Sequence, residues 1–133
     1  MSHIRHIHVA CAIIENDGLV LAAQRSEAMS LPLKWEFPGG KIERGESPQE
    51  CLQRELREEM CISVHIERRL PETSHHYEDF TITLYPFICR VDEGTITLNE
   101  HVAVRWVPPR EMYSLDWAQA DLPVIARYLT EKL

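Results

Sequence analysis

The stretch from Pro38 to Met60 restricts this chain more than any other segment. Ser47-Pro48-Gln49-Glu50 is a helix start: serine can cap the first turn, proline suits the first helical position because no partner waits for its missing N–H, and Glu50 can close a capping box. Leu52, Leu56 and Met60 then follow four apart, which predicts a helix to about Met60 with one apolar stripe against a core. Upstream, Trp35-Glu36-Phe37 meets Pro38-Gly39-Gly40. Proline stops strand pairing and paired glycines let the backbone turn or approach a ligand closely. The segment predicts a strand end opening into a special loop, then a helix buried along one side.

The flanking sequence supplies the other layers. His6 to Ile14 is rich in β-branched and small apolar residues, Asn16-Asp17-Gly18 reads as a turn, and Leu19 to Ala23 as the return strand of a hairpin. Ile62, Val64 and Ile66 alternate as a strand should. A longer hairpin follows, with Phe80–Tyr85 and Phe87–Val91 leading to a turn at Asp92-Glu93-Gly94. Another strand is predicted at Val102–Val107, ended by Pro108-Pro109, and an amphipathic helix from about Ala118 to Lys132 carrying Leu122, Ile125, Ala126 and Leu129. Strands with helices before and after them point to a mixed α/β sheet covered on both faces. At 133 residues, residues 1–133 make one domain around one core.

Composition removes several classes of function. With 44% hydrophobic and 26% charged residues, neither a disordered chain nor a coiled coil fits. No apolar run approaches the roughly 20 residues that cross a bilayer, and the start Met1-Ser2-His3-Ile4-Arg5-His6 lacks the apolar stretch of a secretory signal, so a cytosolic protein without a membrane partner is expected. Cysteines 11, 51, 61 and 89 form no Cys-x-x-Cys pair; they are expected reduced and mostly buried. The seven histidines contain no His-Glu-x-x-His pattern and are expected to be structural or at the surface. A formal net charge of −7, from 21 acidic and 14 basic side chains, disfavours a nucleic acid polymer, whose binding rests on Lys and Arg at phosphates.

The capped helix is itself acidic. Glu55, Glu58 and Glu59 fall within about a third of its circumference, since positions three and four apart are neighbours. Like charges so placed repel, and Arg54 and Arg57 offset only part of that on a solvated face. A divalent cation reverses the sign of the problem. Oxygen donors of this kind suit Mg²⁺ or Mn²⁺, and a glycine-lined loop can add a carbonyl or cradle a phosphate. The plain alternative is a charged helix facing water.

At these residues the sequence resembles the Nudix hydrolases. Gly40, Glu46, Arg54, Glu55, Leu56, Glu58, Glu59 and Ile62 stand in register with the family motif over residues 40–62, with Cys61 where the family has a glycine that ends the helix. Arg25, Trp35 through Lys41, Glu100 six residues before Trp106, and Ala120-Asp121-Leu122-Pro123 resemble the MutT-like branch, which includes 8-oxo-dGTP and CTP pyrophosphohydrolases. The resemblance implies an α/β/α sandwich around a mixed sheet. It also implies hydrolysis of a nucleoside triphosphate to the monophosphate and pyrophosphate by attack of water at the β-phosphorus. Mg²⁺, or Mn²⁺, would lie among the Gly39 carbonyl, Glu55, Glu58, Glu59 and Glu100, with Arg54 orienting a carboxylate. Glu100 and Glu55 are both candidates for the general base, Glu100 being preferred. Gly40 and Glu46 would shape the loop, Glu46 bracing it by hydrogen bonds, while Glu36 supports the metal site from outside. Arg25 either pairs with the α-phosphate or braces a strand end, and Lys41 has the same two readings. Phe37, Phe80, Tyr85 and Asp121 are the candidates for the base pocket, with Asp121 reading the base as a hydrogen-bond acceptor. Expected substrates are (d)CTP or an oxidised nucleotide such as 8-oxo-dGTP, on a monomer or weak homodimer. The alternatives are a hydrolase of nucleotide sugars or dinucleoside polyphosphates, and a module that senses nucleotide without turnover.

Overall fold

The computed structural model describes residues 5–132; Met1–Ile4, and with them His3, lie outside the described residues. In chain order the elements are β1 (Arg5–Asn16), β2 (Leu19–Gln24), β3 (Trp35–Glu36), β4 (Gly39–Lys41), α1 (Pro48–Met60), β5 (Ser63–Arg69), β6 (Thr73–His76), β7 (Phe80–Glu93), β8 (Ala103–Val107) and α2 (Leu122–Lys132). Strand β1 organises the sheet. It runs parallel to β7 from Arg5↔Phe80 to Ile14↔Cys89 and antiparallel to β4 through Val9↔Lys41, Ala10↔Gly40 and Cys11↔Gly39, so the sheet is mixed. Beyond β7 lie β5 and β6, and β2 carries β3 and β8. The β1–β2 turn uses Asp17 and Gly18, both at positive φ, as a tight hairpin between right-twisted strands requires.

Side-chain alternation along β1 divides the core into two layers. Ala10, Ala12 and Ile14 pack with Leu52, Leu56 and Met60 of α1. Cys11 and Ile13 face the other way, onto Val124, Ile125 and Tyr128 of α2 and onto Trp117. Helices thus cover both faces, the three-layer α/β arrangement expected from the sequence. No described helix is long and apolar enough to cross a membrane. Cys11, Cys51 and Cys89 are buried and Cys61 is exposed.

Helix α1 starts and ends as read. Glu50 N–H donates to Ser47 Oγ at 3.1 Å and Ser47 N–H to Glu50 Oε1 at 2.9 Å, a complete capping box. At the other end Cys61 adopts the left-handed conformation, φ 59° and ψ 32°, and its N–H donates to Arg57 O.

Four sequence expectations need correction. The β2–β3 pairing does end before Pro38, at Glu36, but the open loop expected after it is not there: the Pro38 carbonyl accepts from Ala12 N–H at 2.8 Å, and Gly39–Lys41 pair with β1 as β4. That close approach explains the glycine, because a Cβ on Gly39 would lie 2.0 Å from Ala10 O. The runs either side of Pro86 are one strand, β7, since Pro86 needs to lose only one ladder donor and its carbonyl still accepts from Leu70 N–H at 3.0 Å. Strand β6 escaped notice because Thr73-Ser74-His75-His76 has no apolar alternation. Helix α2 begins at Leu122, later than expected. Ala118 N–H donates to Trp35 O at 2.9 Å, which holds Ala118 extended, and a 3-10 turn over Gln119–Asp121 precedes the helix. Its buried residues are Val124, Ile125 and Tyr128, with Leu129 packed against the same cluster, so Ile125 and Leu129 of the predicted stripe face the core, while Leu122 and Ala126 are exposed.

Candidate active site

A cleft of about 630 Å³ opens between α1, the β4 segment and the start of α2, within the size range of small-molecule sites. Glu36, Gly39, Gly40, Lys41, Glu55 and Glu59 line one part of it. Phe37, Tyr77, Phe80, Ile82, Leu84 and Asp121 line the rest, and Arg25 reaches the same space.

The charged part is held in place by Arg54. Its Nε donates to Glu46 Oε2 at 2.6 Å and its Nη2 to Glu46 Oε1 at 3.0 Å, a two-pronged pairing. Nη1 reaches Glu55 Oε1 at 2.8 Å and Glu58 Oε2 at 3.2 Å, and Nη2 also donates to Lys41 O at 3.1 Å. Glu46 accepts from Glu43 N–H at 2.9 Å as well, and these bonds, those from Arg54 foremost, hold its carboxyl down at about 2. Arg54 and Glu46 therefore fasten the loop after β4 to the side of α1.

Glu59 is placed differently. Burial, followed by the charge of Glu55 and a hydrogen bond with it, and then the charges of Glu100 and Glu36, push its carboxyl up to about 9. Glu59 Oε2 is buried without a hydrogen-bond partner. The Glu55 carboxyl lies against Gly40, where a Cβ would stand 2.2 Å from Glu55 Cδ. A buried oxygen without a donor, among carboxylates that repel one another, is what a hard divalent cation would satisfy. Glu55, Glu59 and the Gly39 carbonyl are the groups in this part of the cleft able to take one.

The sequence expectation of three converging carboxylates needs qualification. Among the described residues no three Asp, Glu, His or Cys side chains form a coordinating set. Glu58 is 61% exposed and turned to Arg54, because that guanidinium is the nearest relief from the like charges beside it. Glu100 is exposed and is absent from the cleft lining. Its loop is nonetheless tied to the end of α1, since Asn99 N–H donates to Glu59 O at 3.1 Å and Asn99 Nδ2 to Glu58 O at 2.7 Å. Arg25 donates to Glu36 Oε1 at 2.8 Å and to Ser30 O at 2.6 Å, so it braces a strand end while lining the cleft.

In the apolar part, Phe37, Phe80 and Asp121 meet as expected, but Tyr85 does not join them. Tyr85 lies elsewhere on the sheet, with its hydroxyl 3.0 Å from His8 Nδ1 and Arg69 over its ring. Tyr77 takes the place instead. Its ring centroid is 5.0 Å from that of Phe80, and its hydroxyl accepts from Ala120 N–H at 3.0 Å. Only its position, three residues before Phe80, could have flagged it. Asp121 Oδ2 accepts from Phe37 N–H at 2.9 Å. Burial first, and the charge of Glu36 next, raise its carboxyl well above the usual range. Asp121 thus holds its proton to higher pH than an exposed aspartate does, and in that form it can donate as well as accept.

The NUDIX domain family matches residues 4–128. The chain belongs to the Nudix family. Two relatives show the kind of member it resembles in sequence. CTP pyrophosphohydrolase of Escherichia coli (strain K12) is 34% identical over 126 residues, covering 95% of this chain and 93% of its own. An 8-oxo-dGTP diphosphatase of Haemophilus influenzae is 46% identical over 129 residues, covering 94% and 93%. The crystal structure of a MutT protein from Methanosarcina mazei superimposes with a TM-score of 0.87 over 99% of both chains at 23% identity, which establishes the shared fold. This Nudix protein is a MutT-like pyrophosphohydrolase.

Proposed function

We propose that this protein hydrolyses a nucleoside triphosphate, CTP or an oxidised nucleotide such as 8-oxo-dGTP, to the monophosphate and pyrophosphate with Mg²⁺ or Mn²⁺. The observation that carries the proposal is the single cleft in which Glu55 and Glu59 share a space with Phe37, Tyr77, Phe80 and Asp121. A nucleotide needs both: a polar region for its phosphates and an apolar wall with a few polar groups for its base. A triphosphate carries about four negative charges and these carboxylates would repel it, so a cation must mediate.

Gly39, Glu55, Glu58 and Glu59, with Glu100 on the loop that Asn99 ties to α1, would hold the metal. When bound, it supplies charge neutralisation at the phosphates and acidifies water. Arg54 keeps Glu55 and Glu58 oriented. Glu100 takes the proton of the attacking water as the water oxygen bonds to the β-phosphorus, and the bond from that phosphorus to the oxygen of the nucleoside monophosphate breaks. Glu55 is the alternative base. Arg25 and Lys41 are cations lining the cleft for the phosphates. Phe37, Tyr77 and Phe80 flank the base, and Asp121 reads its edge.

A panel of nucleotides at equal concentration, with products separated by chromatography, tests the proposal. CTP or 8-oxo-dGTP should give the highest kcat/KM, with monophosphate and pyrophosphate as products and no turnover without divalent metal. Release of inorganic phosphate, preferential cleavage of nucleotide sugars, or binding without turnover would each overturn it.

A further inference from the structure

Glu100 stands on an exposed stretch, so something must fix where it stands. The chain before it is fastened by Asn99 to the α1 carbonyls. The chain after it is fastened by Val102 N–H, which donates to Gln24 O at 3.0 Å. Between them lies His101, whose side chain is 2% exposed and whose Nε2 is 2.8 Å from Glu36 Oε2. The other oxygen of Glu36 accepts from Arg25 Nη1 at 2.8 Å, and Glu36 itself lines the cleft.

The ring chemistry sharpens this. In a neutral imidazole one nitrogen carries the proton, and a carboxylate partner requires that it be Nε2. Nδ1 is then a bare acceptor, and it is buried without a partner. Glu36 is therefore the ring's one polar tether among the described residues. An apolar side chain of similar size would fill the space without leaving a buried nitrogen unpaired, so filling space does not account for a histidine here.

We propose that His101 is a positioning residue for hydrolysis. Its hydrogen bond to Glu36, a residue that Arg25 clamps from the far side, locks residues 99–102 against the floor of the cleft and thereby sets the position from which Glu100 acts. The proposal rests on Glu100 acting in the reaction, as read above. His101 touches neither substrate nor metal in this role.

Three variants of the full chain test it: His101→Leu removes the donor, His101→Gln keeps one within reach of Glu36, and His101→Asn is polar but too short. Each is made in the wild-type and Glu100→Gln backgrounds, and two quantities are read: steady-state CTP turnover with Mg²⁺, and amide hydrogen exchange at Asn99 and Val102 in metal-free protein. His101→Leu and His101→Asn should lower kcat by about 10- to 100-fold with KM within threefold, and speed exchange at both amides at least about tenfold. His101→Gln should restore most of both. In the Glu100→Gln background the same changes should alter kcat less than about twofold, because the group they position is already lost. Should the leucine variant fail to fold, the asparagine and glutamine pair carries the comparison. Multiplicative losses in the two backgrounds, unchanged exchange, or no recovery in His101→Gln would overturn the proposal. A wild-type protein that turns over no triphosphate would instead overturn the reading of the site, and the exchange data would still decide whether His101 tethers the loop.

Discussion

The charged and apolar parts of the cleft were made in different ways. The charged part comes almost whole from one run of sequence, Gly39 to Glu59, where a capped helix and a glycine pair fix the spacing of every group. The apolar part is gathered from Phe37, from Tyr77 and Phe80 at the β6–β7 turn, and from Asp121 ahead of α2, segments far apart in the chain. A contiguous site keeps its geometry as long as one helix stands. A gathered site depends on the packing of several elements, and its polar members are the ones burial can retune, as Asp121 shows.

The largest expected effects fall on the contiguous part. EDTA should abolish turnover while leaving the thermal transition and the circular dichroism of the protein in place, because two hydrophobic layers hold the fold. Full activity in excess chelator would remove the metal from the mechanism. Next, Glu59→Gln should cut kcat by at least about a hundredfold with the fold intact. Glu58→Gln should act in the same direction, and measuring the two side by side tells whether the exposed carboxylate contributes as much as the buried one. Near-normal rates in both would return α1 to a charged helix facing water.

A smaller effect is expected in the apolar part. At a pH high enough to ionise Asp121, Asp121→Asn should lower the preference for cytosine over uracil nucleotides by roughly tenfold, the difference between a charge-assisted hydrogen bond and a neutral one, with Mg²⁺ dependence unchanged. The raised carboxyl adds a pH signature. Only the ionised, acceptor-only form favours an amino group over a carbonyl oxygen, so in the wild type the CTP to UTP ratio of kcat/KM should climb with pH, and in Asp121→Asn it should stay flat. An equal loss for every nucleotide would mean that the side chain does not read the base.

Stability carries the same group's sign. Because the folded state holds the Asp121 proton where the unfolded chain has released it, stability from this group falls as pH rises from the ordinary aspartate range toward the raised folded value. Urea unfolding of metal-free protein should therefore show Asp121→Asn gaining on the wild type as pH rises above the ordinary aspartate range. A gap that stays constant would show that the carboxyl is not held protonated. The smallest effect belongs to Cys61→Gly. Relieving a side chain at φ 59° should add about 1 kcal/mol or less, read as a rise in Tm with metal dependence unaltered; a lower Tm would show that the thiol stabilises the helix end.

Much of this was legible from residue order. Ser47 and Glu50 set the start of α1, Leu52, Leu56 and Met60 its buried side, and the alternation of β1 both core layers, because caps, helical periodicity and strand alternation act between residues close in the chain. The acidic residues of the motif could be named for the same reason. Tyr77 could not be separated from Tyr85, since an aromatic in or beside a strand looks alike wherever that strand lies. Nor could the start of α2, which waited on a hydrogen bond between Ala118 and Trp35.

What the sequence by itself determined is the local frame: the capped acidic helix, the glycine pair and the alternating strands, all products of interactions over a few residues. What only the tertiary structure decided is which distant groups share one environment. Burial beside Glu36 raises the Asp121 carboxyl, Phe37 N–H meets Asp121 across 84 positions of chain, and His101 meets Glu36 across 65. Charge and hydrogen bonding depend on distance and dielectric in space, and for residues far apart in sequence those are set only when the sheet and its two helices come together.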